Sequence, residues 1–381
     1  MRIIYCIAGT YRAAGMERVL ADKTAWLAAR GHEIHILTTD QRGLPSAFEM
    51  DPSIRFRDLG INYEKDNGRS LLSKILRFPA KQFLHRRRLK KALMEIRPDV
   101  VVSMFCNDAS FLPKIKDGSK KVLEVHFSRF KRLQYGRKGL WALADRILSR
   151  KDLKDARAFD RFIVLTEEDK RYWGNLPNME VIPNSISWSI EHPAPLTGKT
   201  VLAVGRYSYQ KAFDRLIAAW RILRETSPAA GEWTLRLVGD GELREALDRQ
   251  IAETSLQDCV QLRKVEKDMI SVYQEASILA LSSRYEGLPM VLLEAQANGL
   301  PIVSFACKCG PRDVVRQGEN GILVPEGDIE GLASALKTLI EDPALLKKMG
   351  QQAWKDAALW DRETIMRRWE NLFESILSSP R

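Results

Sequence analysis

Short runs of apolar, mostly β-branched residues alternate with amphipathic stretches along this chain, and this alternation restricts its fold more than any other feature. In the first half, such runs occur at Ile3–Ile7, Ile34–Leu37 and Asp99–Met104, and an amphipathic stretch at Met16–Arg30 separates the first two. Strands that are apolar on both faces are typical of parallel sheets covered by helices on both sides. The pattern therefore predicts an α/β fold.

A second set of alternating runs begins near residue 200. Its strand-like runs are Val201–Val204, Leu235–Val238, Ile278–Leu281 and Ile302–Ser304, and its helix-like stretches are Phe213–Arg224, Glu242–Glu253 and Pro289–Asn298. Two such sets predict two doubly wound, Rossmann-like domains, with ligands bound at the carboxyl ends of the strands. The proline-rich segment 183–199 predicts the linker at the boundary between these two domains. We expect domains at 1–185 and 186–361 that face a central cleft, with a C-terminal helix at 362–381 packing back on the first.

The charge of the chain is unevenly distributed. Its 381 residues include 60 Lys and Arg against 49 Asp and Glu, but residues 1–190 hold 36 of these bases and only 22 of the acids. Between Arg69 and Lys91 there are nine bases and no acid, interleaved with Leu, Ile and Phe. This mixture suits an anionic membrane surface, a solvated helix packed on its own domain, or nucleic-acid phosphates. No helix-turn-helix, zinc-finger or RNP pattern supports nucleic acid.

Other sequence features concern the compartment. No run approaches the roughly 18 apolar residues of a membrane span. The amino terminus fits a first strand better than a signal peptide. Five cysteines without framework spacing suit a reducing compartment, so we expect a cytoplasmic protein. Cys307 and Cys309 could form a metal or redox pair, but two free thiols in a loop are the favoured interpretation, because no second Cys/His pair completes a zinc site.

Two predicted strand-to-helix loops could hold an anion. The loop after the first strand contains Gly15, where a helix N-terminus attracts anions, but a plain tight turn explains it equally well. The loop after Val204 carries Arg206 and Lys211, and two cations at this spacing can clamp a diphosphate. A pair of solvated surface charges is the alternative. The position at the carboxyl end of a strand favours the clamp.

Two glutamates flank the start of a predicted helix. Glu286 precedes the proposed first helical residue, Pro289, and Glu294 lies on the second turn. Their eight-residue separation spans about 12 Å, whereas glycosidase carboxylates lie roughly 5–9.5 Å apart. The helix N-terminus between them can bind phosphate. A carboxylate, a phosphate seat and a second carboxylate match the sugar, diphosphate and ribose of a nucleotide sugar.

Taken together, these motifs resemble a retaining GT-B glycosyltransferase of family 4. The elements that carry the resemblance are Glu286-x7-Glu294, Gly205-Arg206…Lys211, Val238-Gly239-Asp240-Gly241-Glu242-Leu243, Gly15-Met16-Glu17-Arg18-Val19 and Ile182-Pro183-Asn184. It is strongest over 200–325 and weak over 40–120. Four residues depart from the family pattern: Ala14, Ala212 and Lys264 stand where the family often has glycine, and Met16 stands where it often has alanine. The segment from Cys307 to Asp313 is similar to that of bacterial enzymes that build exopolysaccharide, lipopolysaccharide or lipid-linked glycans.

The resemblance implies transfer of a hexose or N-acetylhexosamine from a UDP-sugar, with retention, to a saccharide or lipid-linked acceptor at the membrane surface. Glu286 would hold the donor sugar, Glu294 the ribose, and His126 would face the sugar. The implied catalytic residues are Glu286, His126, Arg206 and Lys211. The implied donor-binding residues are Gly15, Arg206, Lys211, Gly239, Val265, Glu286, Gly287, Leu288, Pro289 and Glu294.

The same resemblance implies no cofactor and no metal. The sequence has no Asp-x-Asp, and the cations would neutralise the leaving diphosphate in place of a metal. It also implies an enzyme peripheral to the inner face of the cell membrane. The alternatives are a nucleotide-sugar epimerase of the same fold, a GDP-mannose-dependent mannosyltransferase, a DNA-modifying glucosyltransferase and a non-catalytic binding protein. His126 alone could equally be a structural histidine at a strand end.

Overall fold

In a computed structural model the chain divides into two compact units. Unit 1 comprises Met1–Pro183 and Glu363–Arg381, and unit 2 comprises Asn184–Arg362. The division observed is thus at 183/184, beside the 185/186 boundary expected from the prolines. The structure describes residues 1–66, 68, 70–130, 139–188, 191–266 and 268–378. Arg69, the first base of the basic stretch, and positions 379–381 of the expected C-terminal helix lie outside these residues.

Unit 1 is built on a seven-stranded parallel sheet in the order β3-β2-β1-β4-β5-β6-β7. The strands are β1 (Arg2–Ile7), β2 (Glu33–Thr38), β3 (Arg55–Asp58), β4 (Val100–Ser103), β5 (Lys120–Glu124), β6 (Arg161–Val164) and β7 (Met179–Val181). The helices are α1 (Gly15–Ala29), α2 (Leu71–Ile96), α3 (Leu140–Ala156), α4 (Glu167–Trp173) and α12 (Arg362–Ser378). Apolar clusters cover both faces of the sheet, one of them completed by α12.

Unit 2 repeats this arrangement with a six-stranded parallel sheet in the order β10-β9-β8-β11-β12-β13. The strands are β8 (Thr200–Val204), β9 (Thr234–Val238), β10 (Val260–Arg263), β11 (Ile278–Leu281), β12 (Ile302–Phe305) and β13 (Gly321–Val324). The helices are α5 (Phe213–Thr226), α6 (Arg244–Glu253), α7 (Met269–Gln274), α8 (Met290–Ala297), α9 (Pro311–Val314), α10 (Ile329–Glu341) and α11 (Pro343–Asp356). The predicted α/β class with two doubly wound domains is confirmed.

Strand order determines where a ligand can bind in each sheet. In unit 2 the order reverses between β8 and β11, which pair side by side although three helices separate them in sequence. Doubly wound sheets bind ligands at the carboxyl ends of their strands beside such a reversal. The loops after β8 and β11 carry Lys211 and Glu286 respectively. The fold therefore brings together two motifs that are about 75 residues apart.

The basic stretch forms α2, which begins after the N-cap Ser70 and contains Pro79. One face packs into unit 1 through the fully buried Leu89 and Leu93. The outer face exposes Leu76 and Phe83, with 77% and 71% of their surfaces accessible. Core packing thus explains Leu89, but it does not explain Leu76 and Phe83. None of the described helices is long and apolar enough to cross a membrane.

Candidate functional site

The loops that follow β8, β9 and β10 are tied to one another through main-chain atoms. Gly205 N donates to Val238 O at 2.9 Å, and Gly239 N donates to Arg263 O at 2.8 Å. The buried Tyr207 hydroxyl lies 2.8 Å from Leu237 O and 2.9 Å from Arg263 O, within hydrogen-bonding distance of both. These links hold the backbone of the loop between Gly205 and Lys211 against the neighbouring strands.

Close packing explains the glycine at position 239. A Cβ atom there would lie 1.9 Å from Gly205 O, far inside van der Waals contact. The next glycine, Gly241, would place a Cβ 2.5 Å from Tyr207 O. These two glycines therefore allow the β9 loop to lie directly on the β8 loop. The structure places the predicted donor-binding residue Gly239 beside the loop that carries Arg206.

Lys211 and Glu286 form an ion pair that joins the two halves of the predicted donor site. Lys211 Nζ lies 2.7 Å from Glu286 Oε1, and the same oxygen accepts a hydrogen bond from Ser283 Oγ at 2.6 Å. Two further contacts fix the loops, from Arg284 N to Gln210 O at 2.9 Å and from Ser282 Oγ to Lys211 O at 2.9 Å. Both charged side chains are largely buried, so their attraction is only weakly screened by water.

The residue after Lys211 explains a departure from the family pattern. Ala212 has φ 52° and ψ 43°, the left-handed conformation, at the N-cap of α5. Glycine adopts this conformation without a steric penalty, whereas an L-residue pays about 1 kcal/mol or more. The unusual backbone is retained here with alanine, fully buried in the unit 2 core. Ala212 therefore adopts the left-handed conformation directly after Lys211 despite its side chain.

The other predicted cation is more accessible. Arg206 is exposed and has no ion-pair partner within the ranges that the structure describes. Val265 is also exposed, at 64%, in the loop that follows β10. An unpaired guanidinium on a rigid loop can bind an incoming phosphate without first giving up a partner. Arg206 and Lys211 thus differ, because only Lys211 is neutralised by a protein carboxylate.

The segment before α8 is held from the other side by the loop after β12. Glu286 N donates to Lys308 O at 2.7 Å, and Cys309 N donates to Glu286 O at 3.3 Å. Cys307 and Cys309 are both buried, and among the described residues no group of three or more His, Cys, Asp or Glu could hold a metal ion. Lys308 and Cys309 therefore support the backbone of Glu286 through their main-chain atoms.

The helix start differs by one residue from the prediction. Pro289 is the N-cap, with φ −71° and ψ 109°, and α8 begins at Met290. A pre-set proline φ suits either position, so the sequence could not distinguish them. Gly287 and Leu288 precede the helix, as predicted for a loop that leads into an N-terminus. Glu294 lies on the second turn, 5% exposed, and accepts a hydrogen bond from Tyr273.

Two predicted residues, Gly15 and His126, belong to unit 1. Gly15 is the exposed first residue of α1. His126 follows β5, with Nε2 at 2.9 Å from Glu124 Oε1. Glu124 is fully buried and also pairs with the buried Lys23 of α1. Burial alone would raise the pKa of Glu124, but Lys23 and His126 outweigh it and lower that pKa to about 2.

Sequence reasoning missed two partners of the predicted residues. Lys23 stands in an amphipathic helix pattern, where a lysine ordinarily faces solvent, and Tyr273 belongs to a short helix without a motif. Each is recognisable only from the fold, because the sequence separation from its partner is 101 residues for Lys23 and 21 for Tyr273. A lysine on the apolar face of α1 was the only available signal.

Comparison with known proteins now identifies the family. The model "Glycosyltransferase Family 4" matches residues 13–187, and the model "Glycosyl transferases group 1" matches residues 185–356. The chain is a glycosyltransferase of family 4. The two matches together extend through both units, and they meet close to the observed division between the units.

Relatives of this glycosyltransferase include proteins named for bacterial polysaccharide assembly. An exopolysaccharide phosphotransferase of Streptomyces coelicolor is 34% identical over 58% of this chain and 24% of its own length. The amylovoran biosynthesis glycosyltransferase AmsD of Erwinia amylovora is 32% identical over 56% of this chain and 62% of its own. The chain thus spans less than two thirds of the length of these relatives.

A solved structure shows the same GT-B fold over nearly the whole chain. The structure of a point mutant of S. aureus TarM, determined with fondaparinux, α-GlcNAc-glycerol and UDP, has a TM-score of 0.75. It covers 98% of this chain and 99% of that one, at 14% sequence identity. At such low identity the likeness establishes the GT-B architecture of this glycosyltransferase and nothing finer.

Proposed function

We propose that this glycosyltransferase transfers a hexose or N-acetylhexosamine from a UDP-sugar, with retention at the anomeric carbon, during bacterial polysaccharide assembly. The observation that carries the proposal is the Lys211–Glu286 pair at the carboxyl ends of β8 and β11, immediately before α8. A cation there suits a diphosphate, and the adjacent carboxylate suits sugar hydroxyls. The names of relatives such as AmsD support the polysaccharide pathway class.

In the proposed mechanism the protein stabilises the departing nucleoside diphosphate. Bond cleavage at the anomeric carbon leaves additional negative charge on the leaving phosphate, and preorganised positive groups lower that barrier. Arg206, Lys211 and the amides at the start of α8 would supply them, so the reaction would need no metal. Glu286 would hold the sugar hydroxyls and Glu294 the ribose. We propose that His126 of unit 1 also takes part in the transfer.

Retention would follow if the acceptor hydroxyl attacks the anomeric carbon on the same face from which the nucleoside diphosphate departs. No separate carboxylate nucleophile is then needed, because the leaving phosphate accepts the proton of the acceptor hydroxyl. An epimerase of the same fold would use a similar nucleotide site but would release a rearranged nucleotide sugar. Product analysis with UDP-glucose, UDP-galactose and UDP-N-acetylglucosamine distinguishes the two, since only transfer or hydrolysis releases UDP.

The nucleotide preference is tested by thermal stability in the presence of UDP, GDP, ADP and dTDP. A ligand at 100 times its Kd adds about 2.7 kcal/mol, which raises the melting temperature by a few degrees. We expect this shift with UDP. Arg206→Ala should diminish it, whereas Arg221→Ala, on the exposed face of α5, should not. A shift with GDP alone would favour the mannosyltransferase alternative, and no shift with any nucleotide would refute the donor site.

We further propose that the acceptor is reached at an anionic membrane surface, with the enzyme peripheral on the cytoplasmic face. The exposed Leu76 and Phe83 of α2 lie among Arg86, Arg87 and Lys90, which are all exposed. Helix α3 adds the exposed Leu143, Ile147 and Leu148. Apolar side chains that enter the lipid boundary beside basic residues are typical of helices bound to anionic membranes.

Vesicle binding tests the membrane proposal. We expect sedimentation with phosphatidylglycerol-containing vesicles and much less with phosphatidylcholine alone. Removing Arg86 and Arg87 together should weaken binding roughly 30-fold, since each base contributes about 1 kcal/mol near such a surface. Phe83→Ser should also weaken it, while Leu359→Ser, an equally exposed leucine in unit 2, serves as the control. Equal binding by all variants would exclude α2 as the membrane contact.

A further inference from the structure

A buried tyrosine holds the carboxylate of Glu294. The Tyr273 hydroxyl donates to Glu294 Oε2 at 2.6 Å, a short bond of the kind expected between a hydroxyl and a carboxylate. Tyr273 is fully buried and Glu294 is 5% exposed, so water screens this bond only weakly. The contact links α7 to α8, two helices on either side of β11 in the chain.

Helix α7, which carries the tyrosine, has hydrogen bonds at both of its ends. At the start of α7 the Asp268 side chain accepts from Ser271 N at 3.1 Å. At its end, Gln274 Nε2 donates to Asn298 Oδ1 at 3.0 Å, and Asn298 Nδ2 donates to Glu294 O at 2.9 Å. Helix α7 is therefore anchored to the same turn of α8 that carries Glu294. The phenol reaches the carboxylate from a rigid position.

This arrangement has an energetic consequence for any ligand of Glu294. A free glutamate side chain loses about 0.5–1.5 kcal/mol of rotamer freedom when a ligand immobilises it. In this protein the hydrogen bond from Tyr273 already restricts the rotamers of the Glu294 side chain before any ligand binds. A carboxylate has about four acceptor positions, and the phenol uses one of them. A carboxylate restricted in this way can accept from the hydroxyl donors of a ligand without that loss.

We infer that Tyr273 is a positioning residue that orients Glu294 toward the ribose diol of a nucleoside diphosphate. The inference rests on the proposed donor site, and it adds a residue that acts through Glu294 rather than by touching the substrate. Loss of the phenol should therefore impair recognition of ribose hydroxyls specifically. Recognition of the base and of the diphosphate, which Arg206 and Lys211 would bind, should be unaffected.

The experiment compares UDP, GDP and ADP, each with its 2′-deoxy form, by calorimetric titration of the full chain. For the wild type we expect the preferred ribonucleotide to bind about tenfold more tightly than its deoxy form, as for a hydrogen bond to a charged group. In Tyr273→Phe this ratio should fall below about threefold. The deoxynucleotide should bind the variant as well as it binds the wild type. Both nucleotides bind the same folded fraction of the protein. The ratio of their affinities can therefore be compared between proteins even if a variant is partly unfolded.

Two further variants separate the possible failures. In α4 of unit 1 the Tyr172 hydroxyl donates a similar hydrogen bond to Glu168 Oε1 at 2.8 Å. Tyr172→Phe removes this bond and should leave the ratio unchanged. Glu294→Ala should abolish the preference for the ribonucleotide over its deoxy form. If Glu294→Ala abolishes this preference and Tyr273→Phe retains it, the positioning role of Tyr273 is wrong and the proposed donor site is supported. If Glu294→Ala retains the ratio, or the wild type binds no nucleotide, the donor site itself is wrong.

Discussion

Replacing Glu286 by alanine is expected to separate nucleotide binding from sugar transfer. In the wild type, Lys211 lies 2.7 Å from the Glu286 carboxylate. The variant lacks this carboxylate, so nothing there competes with UDP for Lys211, and UDP binding should be retained or become severalfold tighter. The release of UDP from UDP-sugars should fall about 10²–10³-fold, the usual cost of removing one group that stabilises a transition state. Calorimetry measures the first quantity, and UDP release with water as acceptor measures the second.

A matched control comes from the same unit. Glu326 also pairs with a base, Arg215, at 2.6 Å, but its side chain is 42% exposed. Glu326→Ala should change neither UDP binding nor UDP release. Near-wild-type release by Glu286→Ala would exclude the sugar-binding role of this carboxylate. A parallel loss of UDP binding would instead show that Glu286 mainly supports the loop between β8 and α5.

The expected tightening has a structural basis that sequence alone could not show. In the protein without ligand, Lys211 is neutralised by Glu286, and Ser283 Oγ donates to the same carboxylate oxygen. A diphosphate must therefore compete with a protein carboxylate for this lysine. Arg206 has no ion-pair partner among the described residues and faces no such competition. We expect Arg206 to contribute more to the affinity for UDP, and Lys211 more to turnover.

The central strands of both sheets could be predicted from the sequence, but several outer strands could not. Strand β4 is a run of three valines and a serine, all fully buried, and its apolar pattern is unmistakable. Strand β3, at the edge of its sheet, reads Arg-Phe-Arg-Asp and is exposed throughout. At the edges, β10 and β13 are only partly buried. Edge strands pair on one side only, so burial leaves little signal in their sequences.

For the proposed donor site, the sequence offered candidate residues but not the partners that the structure gives them. Arg206, Lys211, Glu286 and Glu294 follow from motifs within a few residues of a strand end. Their contacts depend on the fold, since the order of strands makes β8 and β11 neighbours. Tyr273 has no local pattern that marks it, because its role follows only from the packing of α7 on α8. The sequence therefore offered candidate residues in the loops, whereas the contact of Tyr273 with Glu294 depends on the fold.

Replacing Lys23 by methionine is expected to destabilise unit 1 by about 3–5 kcal/mol, the usual cost of leaving a buried charge without its partner. Lys23 and Glu124 are both buried, and Lys23 Nζ also lies 3.5 Å from the ring centroid of Trp369 in α12. Methionine fills much of the same volume but removes the lysine from Glu124, which then keeps only the flanking His126 as a charged neighbour in the described contacts. Hydrogen exchange in peptides of β1 and β5 reports the stability of this unit directly.

The destabilisation should depend on pH in a direction that the charges dictate. In the wild type, Lys23 and His126 overcome burial and lower the pKa of Glu124 from its ordinary 4.5 to about 2. Its stabilising contribution is therefore complete above pH 4.5 and is lost as the pH falls toward 2. In Lys23→Met, His126 opposes the effect of burial without the help of Lys23, so the pKa of Glu124 should rise above its wild-type value and protonation relieves the variant. The difference in stability between the two proteins should consequently shrink as the pH falls through that raised pKa toward 2.

Two variants show whether the unpaired charge is the cause. Lys23→Met combined with Glu124→Gln should recover more than half of the lost stability, because no charge then remains buried without a partner. Lys90→Met, on the exposed face of α2, should change stability by less than about 0.5 kcal/mol. If the double variant is as unstable as Lys23→Met, the loss comes from the contact of Lys23 with Trp369. The charge pair would then be excluded as the main link between α1 and β5.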